Sequence, residues 1–175
     1  MHASPPSCAA PAWQLRPLLE SDVPAVLAME GLACLHPAHA WSQGNYRSSL
    51  QSDYWARVCA RPGEAGIVGV CVAMSGVEEM HLLNIAVDRT VQRQGLARLL
   101  LQALYVQAER EGAHRLWLEV RASNEPAQQL YRQEGFTQVS VRKGYYPATV
   151  EGALREDALV MQRPMRRTGS GDGLV

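Results

Sequence analysis

Two ionisable side chains in the second half of the chain, Glu119 and Tyr131, are candidates for acid–base chemistry. Glu119 lies in "RLWLEV", residues 115–120, where apolar Leu118 and Val120 flank it. Tyr131 lies further along, in "NEPAQQLYRQEG". A carboxylate can accept a proton, and a phenol can donate one. The pattern alone also allows plainer roles, namely an exposed strand residue for Glu119 and a core tyrosine for Tyr131.

The polar junction "RQGLAR", residues 93–98, is a candidate anion site. Helices usually begin with a Ser, Thr, Asp or Asn cap and acidic residues, because the first N–H groups are unpaired and the dipole there is positive. This junction instead has arginine on both sides of Gly95, before a leucine-rich helical pattern. Glycine lets a backbone approach a ligand closely, and free N–H groups suit phosphate oxygens. A single glycine at such a junction is also common as a plain turn.

Hydrophobic periodicity predicts the elements that must position these residues. Strands are expected at residues 13–18, 54–61, 66–74, 78–88, 115–120, 136–146 and 157–162. Helices are expected from a Ser21-Asp22 cap to Cys34, over 42–52, from Gly95 to Gly112, and over 124–135. The strands on either side of the long helix should be parallel neighbours joined by a right-handed crossover, and the others antiparallel. The order therefore predicts a mixed-sheet α/β architecture.

Length and composition favour one domain and exclude some partners. A chain of 175 residues with 47% apolar content can bury one substantial core, which we place at residues 12–165. The Pro-, Ser- and Gly-rich ends, 1–11 and 166–175, should be disordered tails. The formal net charge of zero argues against nucleic-acid binding by the whole molecule. No membrane span is expected, and the four cysteines fit reduced thiols in a cytoplasmic protein.

Several motifs carry a resemblance to a known family. Residues 92–97, "QRQGLA", fit the Q/R-x-x-G-x-G/A signature of the GCN5-related N-acetyltransferases, the GNAT family. "LWLEVRASNEPAQQLYRQEGF" (116–136), "RKGYYP" (142–147) and "DALVM" (157–161) resemble the RimI-type ribosomal-protein-alanine N-acetyltransferases of that family. The resemblance covers about residues 78–163. It implies the GNAT fold, a mixed and mostly antiparallel sheet of about seven strands flanked by about four helices, with acetyl-CoA as co-substrate and no metal.

The resemblance also assigns roles to individual residues. The glycine loop would wrap the pyrophosphate of acetyl-CoA, and a bulge in the preceding strand, at residues 84–87, would receive the acetyl carbonyl and the pantetheine arm. The implied cofactor-binding residues are Ile85, Ala86, Val87, Arg93, Gln94, Gly95, Leu96, Ala97, Arg98 and Asn124. Glu119 would be the general base, acting through water, and Tyr131 the general acid at the departing thiolate. Trp41, Tyr145 and Tyr146 would contact the peptide substrate.

Proton affinities favour one class of amine. An ordinary carboxylate, with a pKa of about 4.3, takes a proton from an α-ammonium of pKa about 8 at a cost of roughly 5 kcal/mol. A lysine ammonium, with a pKa of about 10.4, raises that cost to roughly 8 kcal/mol. The chemistry therefore suits a protein N-terminus better than a lysine side chain.

We therefore expect a monomeric cytoplasmic acetyltransferase that modifies a protein N-terminal α-amine. By resemblance its substrate is the N-terminal alanine of ribosomal small-subunit protein eighteen, so its partner is a ribosomal protein rather than nucleic acid or membrane. Two alternatives stay open from the sequence. One is a GNAT enzyme acting on a small-molecule amine or a protein lysine, and the other is a non-catalytic acyl-CoA-binding or ribosome-associated module.

Overall fold

A seven-stranded sheet in the order β1-β2-β3-β4-β5-β7-β6 forms the frame of the molecule. The computed structural model describes residues 13–34, 39–61, 63, 66–148 and 154–165. The strands are β1 (Gln14–Pro17), β2 (Trp55–Ala60), β3 (Ile67–Ser75), β4 (Glu79–Val87), β5 (Arg115–Arg121), β6 (Thr137–Tyr146) and β7 (Glu156–Pro164). The α-helices of the described residues are α1 (Val23–Ala33), α2 (Gln43–Gln51), α3 (Leu96–Arg110) and α4 (Glu125–Gln133). The expected tails, 1–11 and 166–175, lie outside these ranges.

The strand pairing confirms the mixed sheet that the sequence predicts. β4 and β5 are parallel neighbours, and α3 is the crossover between them. Every other pair is antiparallel. One placement was not predicted: β7 lies between β5 and β6, because the last hairpin folds back and its second strand pairs with β5.

The sheet carries an apolar core on each face. Leu82 and Leu118 belong to the core that α3 and α4 cover. Val70 and Val72, on the other side of the sheet, belong to the core that α1 and α2 cover. Because successive side chains in a strand point to opposite faces, the core residues of a strand also show where their neighbours point.

Helix ends follow the sequence signals at most positions. The Ser42 hydroxyl accepts the N–H of Asn45 and caps α2. Gly112 and Gly135 follow α3 and α4 with positive φ angles of 70° and 86°, a conformation that glycine adopts without strain. The cap expected at Ser21-Asp22 is wrong in detail. The Asp22 carboxylate accepts the N–H of Leu19 and pairs with Arg16 instead of capping the first turn of α1.

The parallel pair at the centre of the sheet separates partway along. β4 and β5 are paired only from Glu79–Leu82 against Arg115–Leu118. The register of β4 against β3 then shifts, leaving Leu83 as an extra residue. A bulge of this kind bends its strand. After the bulge, β4 and β5 continue as the two sides of an opening in the sheet.

No helix of the described residues is long and apolar enough to span a bilayer. Among the same residues, no three His, Cys, Asp or Glu side chains come close enough together to hold a metal ion. Cys34, Cys59 and Cys71 have free thiols.

Candidate active site

A cleft of about 1100 Å³ occupies the opening between β4 and β5. It extends to α1 on one face of the sheet, and to the first turn of α3 and along α4 on the other. Most of the predicted site residues line it, namely Trp41, Ile85, Ala86, Val87, Arg93, Gly95, Leu96, Ala97, Arg98, Glu119, Asn124, Tyr131 and Tyr146. The fold thus brings together residues that lie far apart in the sequence.

The first turn of α3 presents unpaired N–H groups to this cleft. Gly95 is the N-cap residue, with a positive φ of 84°, and no side chain caps the helix. The first turn holds no acidic residue. The N–H of Leu99 is the first to find a helical acceptor, the carbonyl of Gly95. The N–H groups of residues 95–98 have no protein acceptor within the described part of the chain, so they can bind an anion.

The two arginines near Gly95 differ in how strongly other protein groups hold their side chains. Arg98 donates to Glu134, with Nε 2.5 Å from Oε1, and to Gln133, so it ties α3 to the end of α4. Arg93 lines the cleft and has a positive φ of 63°. A non-glycine residue in that region is strained by about 1 kcal/mol or more, and such strain concentrates at ligand sites. Arg93 is therefore the more available phosphate contact.

Glu119 lies on the β5 side of the opening, on the face that carries α1 and α2. Its neighbours Leu118 and Val120 point into the opposite core, so the carboxylate points away from α3 and α4. Arg142 of β6 reaches across β7 and donates to Glu119. The Arg142 guanidinium also lies 4.0 Å from the ring centre of Tyr145. The neighbouring Glu119 carboxylate raises the pKa of Tyr145, and the two residues line the same small cavity.

Tyr131 lies on the other face, in the core beneath α3 and α4. It is 6% exposed, and its ring packs edge-on against Phe136 at 5.8 Å. No described residue hydrogen-bonds its hydroxyl, although the residue lines the cleft. Burial raises the pKa of Tyr131 well above its ordinary value. The phenol therefore keeps its proton at neutral pH and can donate a hydrogen bond into the cleft.

Three aromatic side chains border the cleft beside Glu119. Trp41, Tyr145 and Tyr146 line a second cavity of about 200 Å³, together with Glu119. The two tyrosine rings meet edge-on at 5.0 Å. Arg121 lies 4.1 Å from the ring centre of Tyr146. The predicted substrate-side residues thus form one aromatic group on the face of Glu119.

Residues 24–136 match the model of the Acetyltransferase (GNAT) family, which is more than half of the chain. The chain belongs to the GNAT family. It is similar to the ribosomal protein bS18-alanine N-acetyltransferase of Escherichia coli strain K12, with 38% identity over 145 residues, 83% of this chain and 93% of the relative. The corresponding enzyme of Haemophilus ducreyi is 35% identical over 144 residues, 82% and 94% of the two chains.

A solved structure supports the same GNAT assignment. The crystal structure of the ribosomal-protein-S18-alanine N-acetyltransferase from Escherichia coli matches with a TM-score of 0.77 and 34% identity, covering 93% of this chain and 99% of that one. The resemblance read from the motifs is therefore confirmed, as is the fold. The chain is an acetyltransferase of a family whose acyl donor is acetyl-CoA.

Two details of the predicted GNAT site differ in the structure. The Gln94 amide donates to the carbonyl of Thr90 at 3.4 Å, and Gln94 is not part of the cleft lining. Gln92 lines the cleft instead, with its amide 3.0 Å from the carbonyl of Val87. The irregularity of β4 lies at Leu83 rather than within residues 84–87.

Asn124 lines the GNAT cleft and also stabilises α4. Its side-chain oxygen accepts the N–H of Ala127 at 3.3 Å and so caps the helix that carries Tyr131. The side-chain oxygen of Asn124 is therefore already hydrogen-bonded within the protein before any ligand binds.

Sequence reasoning missed a buried polar group in this GNAT cleft. Glu30 of α1, Tyr46 of α2 and the side chain of Asn84 on β4 form a hydrogen-bonded triad. A signal was available, because Glu30 is a lone acidic residue in the otherwise apolar run "AVLAMEGLAC". Charged residues are almost never fully buried without partners, so such a position predicts a polar network. The contact from Arg142 to Glu119 left no comparable local signal.

Proposed function

We propose that this acetyltransferase modifies protein N-terminal α-amines, and that its substrate is the N-terminal alanine of ribosomal small-subunit protein 18. It would act in the cytoplasm as a monomer. The names of its relatives support this substrate. The structural observation that carries the proposal is the placement of Glu119 and Tyr131 on opposite faces of the sheet, at one opening between β4 and β5.

The α3 face of the cleft has the chemistry to hold acetyl-CoA. The free N–H groups of residues 95–98 and the guanidinium of Arg93 suit the pyrophosphate. An alanine Cβ at Gly95 would meet no protein atom within 4 Å, so the space beside this backbone is open to a ligand. Ile85, Ala86 and Val87 have no partner on β5, so part of their backbone is available to the pantetheine arm. Bound acetyl-CoA supplies the acetyl group as a thioester.

Two protein groups manage the protons of the transfer. The amine nitrogen bonds to the acetyl carbonyl carbon and the carbon–sulfur bond breaks. The α-ammonium first gives one proton to Glu119 through water, which leaves the nitrogen a lone pair for the attack, and the second nitrogen proton leaves to solvent water as the amide forms. Tyr131 donates a hydrogen bond to the departing thiolate on the other face. With an ordinary phenol, full proton transfer to a thiolate of pKa about 8.5 is uphill by only ~2 kcal/mol. The raised pKa of Tyr131 increases that cost, so Tyr131 acts as a hydrogen-bond donor.

The substrate amine must compete with a protein cation for the base. Arg142 holds the Glu119 carboxylate in the absence of substrate. An incoming α-ammonium carries the same charge and can take the place of the guanidinium, because the Arg142 side chain is half-exposed and also stacks on Tyr145. Trp41, Tyr145 and Tyr146 would then surround the first residues of the peptide.

Acetyl transfer to matched synthetic peptides tests the proposal. One peptide begins Ala-Arg and contains no lysine, and the other is blocked at its α-amine and carries a lysine. We expect acetylation of the free N-terminus and little acetylation of the lysine. Mass spectrometry of each product measures both. Acetylation of the blocked peptide alone would overturn the N-terminal assignment and favour a lysine acetyltransferase.

A further inference from the structure

The buried triad Glu30–Tyr46–Asn84 fixes the orientation of one amide at the edge of the cleft. Glu30 is 1% exposed and Tyr46 is fully buried. The Tyr46 hydroxyl donates to Glu30 Oε2 at 2.5 Å. Asn84 Nδ2 donates to Glu30 Oε1 at 3.0 Å and to the Tyr46 oxygen at 2.9 Å. Both N–H groups of the amide are therefore used inside the protein.

The carboxylate of Glu30 forbids the reverse orientation of this amide. An ionised carboxylate only accepts hydrogen bonds, so turning Asn84 over would set its Oδ1 against another acceptor. Burial, and then the charge of Glu30, raise the pKa of Tyr46, which keeps that hydroxyl a donor. The Asn84 Oδ1 atom must consequently face away from Glu30 and Tyr46. No described residue donates a hydrogen bond to it.

Strand register places this free acceptor on the same face as the proposed base. Asn84 contacts α1 and α2, so it points to the face opposite α3 and α4. Glu119 points to that face as well, since Leu118 and Val120 fill the other core. Asn84 follows the bulge on β4, and Glu119 follows Leu118, the last residue of β5 that pairs with β4. The two side chains line one cleft from its two sides.

We propose that Asn84 is a further substrate-binding residue, whose Oδ1 accepts a hydrogen bond from the attacking α-amine. Glu30 and Tyr46 are positioning residues that keep this oxygen, rather than the NH₂ group, turned toward the substrate. An ammonium group has donors only, so it needs acceptors such as Oδ1 and the Glu119 carboxylate. This inference rests on the proposed N-terminal acetylation.

Binding of two peptides that differ only in the amine tests the role of Asn84. One peptide begins Ala-Arg, and its partner has a propionyl group in place of the alanyl residue. Calorimetry is done with the enzyme saturated with coenzyme A, which carries no acetyl group to transfer. It gives the binding ratio, defined as the dissociation constant of the propionyl peptide divided by that of the Ala-Arg peptide. A hydrogen bond to a charged group contributes about 1.5–3 kcal/mol, so we expect the ratio to fall about tenfold or more in Asn84→Ala. A general loss of structure would weaken the binding of both peptides equally and leave the ratio unchanged.

A second variant tests the orientation of the amide. Glu30→Gln removes the negative charge and introduces an NH₂ group that can donate to a reversed Asn84. We expect this change to lower the same ratio about tenfold, and Glu30→Asp to restore part of it. Tyr105→Phe is the control, because it removes a hydroxyl 3.5 Å from a different carboxylate, Glu134, and should keep the wild-type ratio.

The outcomes separate the two proposals. Wild-type acetylation of the Ala-Arg peptide, with an unchanged binding ratio in folded Asn84→Ala and Glu30→Gln, would overturn the role of Asn84 alone. If Asn84→Ala does not fold, an unchanged ratio in Glu30→Gln is sufficient to overturn it. Failure of the wild-type enzyme to acetylate the peptide would overturn the proposed function, and the role of Asn84 with it.

Discussion

The two proposed catalytic side chains occupy environments that suit opposite tasks. Tyr131 is buried in an apolar core, where the raised pKa keeps its phenol neutral and able to donate. Glu119 lies on the polar side of the opening, where Arg142 stabilises its negative charge. Pairs of titratable groups in contrasting environments are typical of acid–base catalysis. The contrast here is produced by strand alternation, which sends Glu119 and the α4-facing core residues to different faces.

Removing either group should slow the chemical step. We expect Glu119→Gln and Tyr131→Phe each to lower kcat about 100-fold or more, because a general base contributes roughly that much, and so does a hydrogen-bond donor to a developing anion. Steady-state kinetics with the Ala-Arg peptide measures the loss, and Tyr105→Phe should keep wild-type turnover. Losses of only a few-fold would show that these residues do not have the proposed roles.

The strand-to-helix junction before α3 combines strain and openness in one element. Gly95 has a φ of 84°, and Arg93, two positions earlier, has a φ of 63°. The turn exposes N–H groups toward the cleft because its residues leave the right-handed helical region just before the helix begins. The absence of an acidic first turn has the same explanation, since a carboxylate there would occupy the place of the phosphate.

A glycine-to-alanine pair isolates the effect of this backbone conformation. Gly95→Ala should lower the free energy of unfolding by about 1 kcal/mol, because a residue with a Cβ is strained at positive φ. It should also raise the KM for acetyl-CoA, since the new methyl group projects into open space beside the turn. Urea unfolding and steady-state kinetics measure the two effects.

Gly31→Ala is the matched control for that substitution. Gly31 lies within α1, and a Cβ there also meets no atom within 4 Å. Alanine should leave α1 equally stable or stabilise it by up to about 1 kcal/mol, without changing the KM. Equal effects of the two substitutions on stability would contradict the role assigned to the φ of Gly95.

At the scale of the whole molecule, the two cores bury several groups that must stay protonated. Burial raises the pKa of Cys59 to about 11 and raises that of Cys71 further. Burial also raises the pKa values of Tyr46, Tyr105 and Tyr131. In an unfolded chain cysteine titrates near about 8.5 and tyrosine near about 10. The folded protein therefore binds more protons than the unfolded chain in alkaline solution.

Stability should consequently fall as the pH rises above about 8.5. Each raised pKa contributes stability that is fully present below the unfolded pKa and is lost as the pH rises through the folded value. The slope approaches roughly 1.4 kcal/mol per pH unit for each group that titrates only in the unfolded chain. Urea unfolding between pH 7 and pH 11 measures this slope. Tyr105→Phe should make the decrease in the free energy of unfolding above about pH 10 less steep. Constant stability across this range would contradict the prediction.

Local pattern was sufficient for most of the fold. Alternation and helical spacing marked the strands and helices, and the glycines at 95, 112 and 135 marked ends that the structure confirms. The parallel pairing of β4 and β5 followed from the handedness rule for a crossover helix. Pattern did not fix the position of β7, because pairing across a sheet depends on which edge is still open when the last hairpin folds back.

The features of the site also divide into those that the sequence predicts and those that only the fold decides. The sequence by itself determined the glycine junction, the carboxylate at Glu119 and the phenol at Tyr131, because their residue types and motifs are local properties of the chain. Tertiary structure alone decided that Glu119 is held by Arg142, and that Glu30, Tyr46 and Asn84 meet. These contacts join residues on separate elements. Their geometry is set by the bulge at Leu83 and by the packing of two helices on one face of the sheet, neither of which a local pattern encodes.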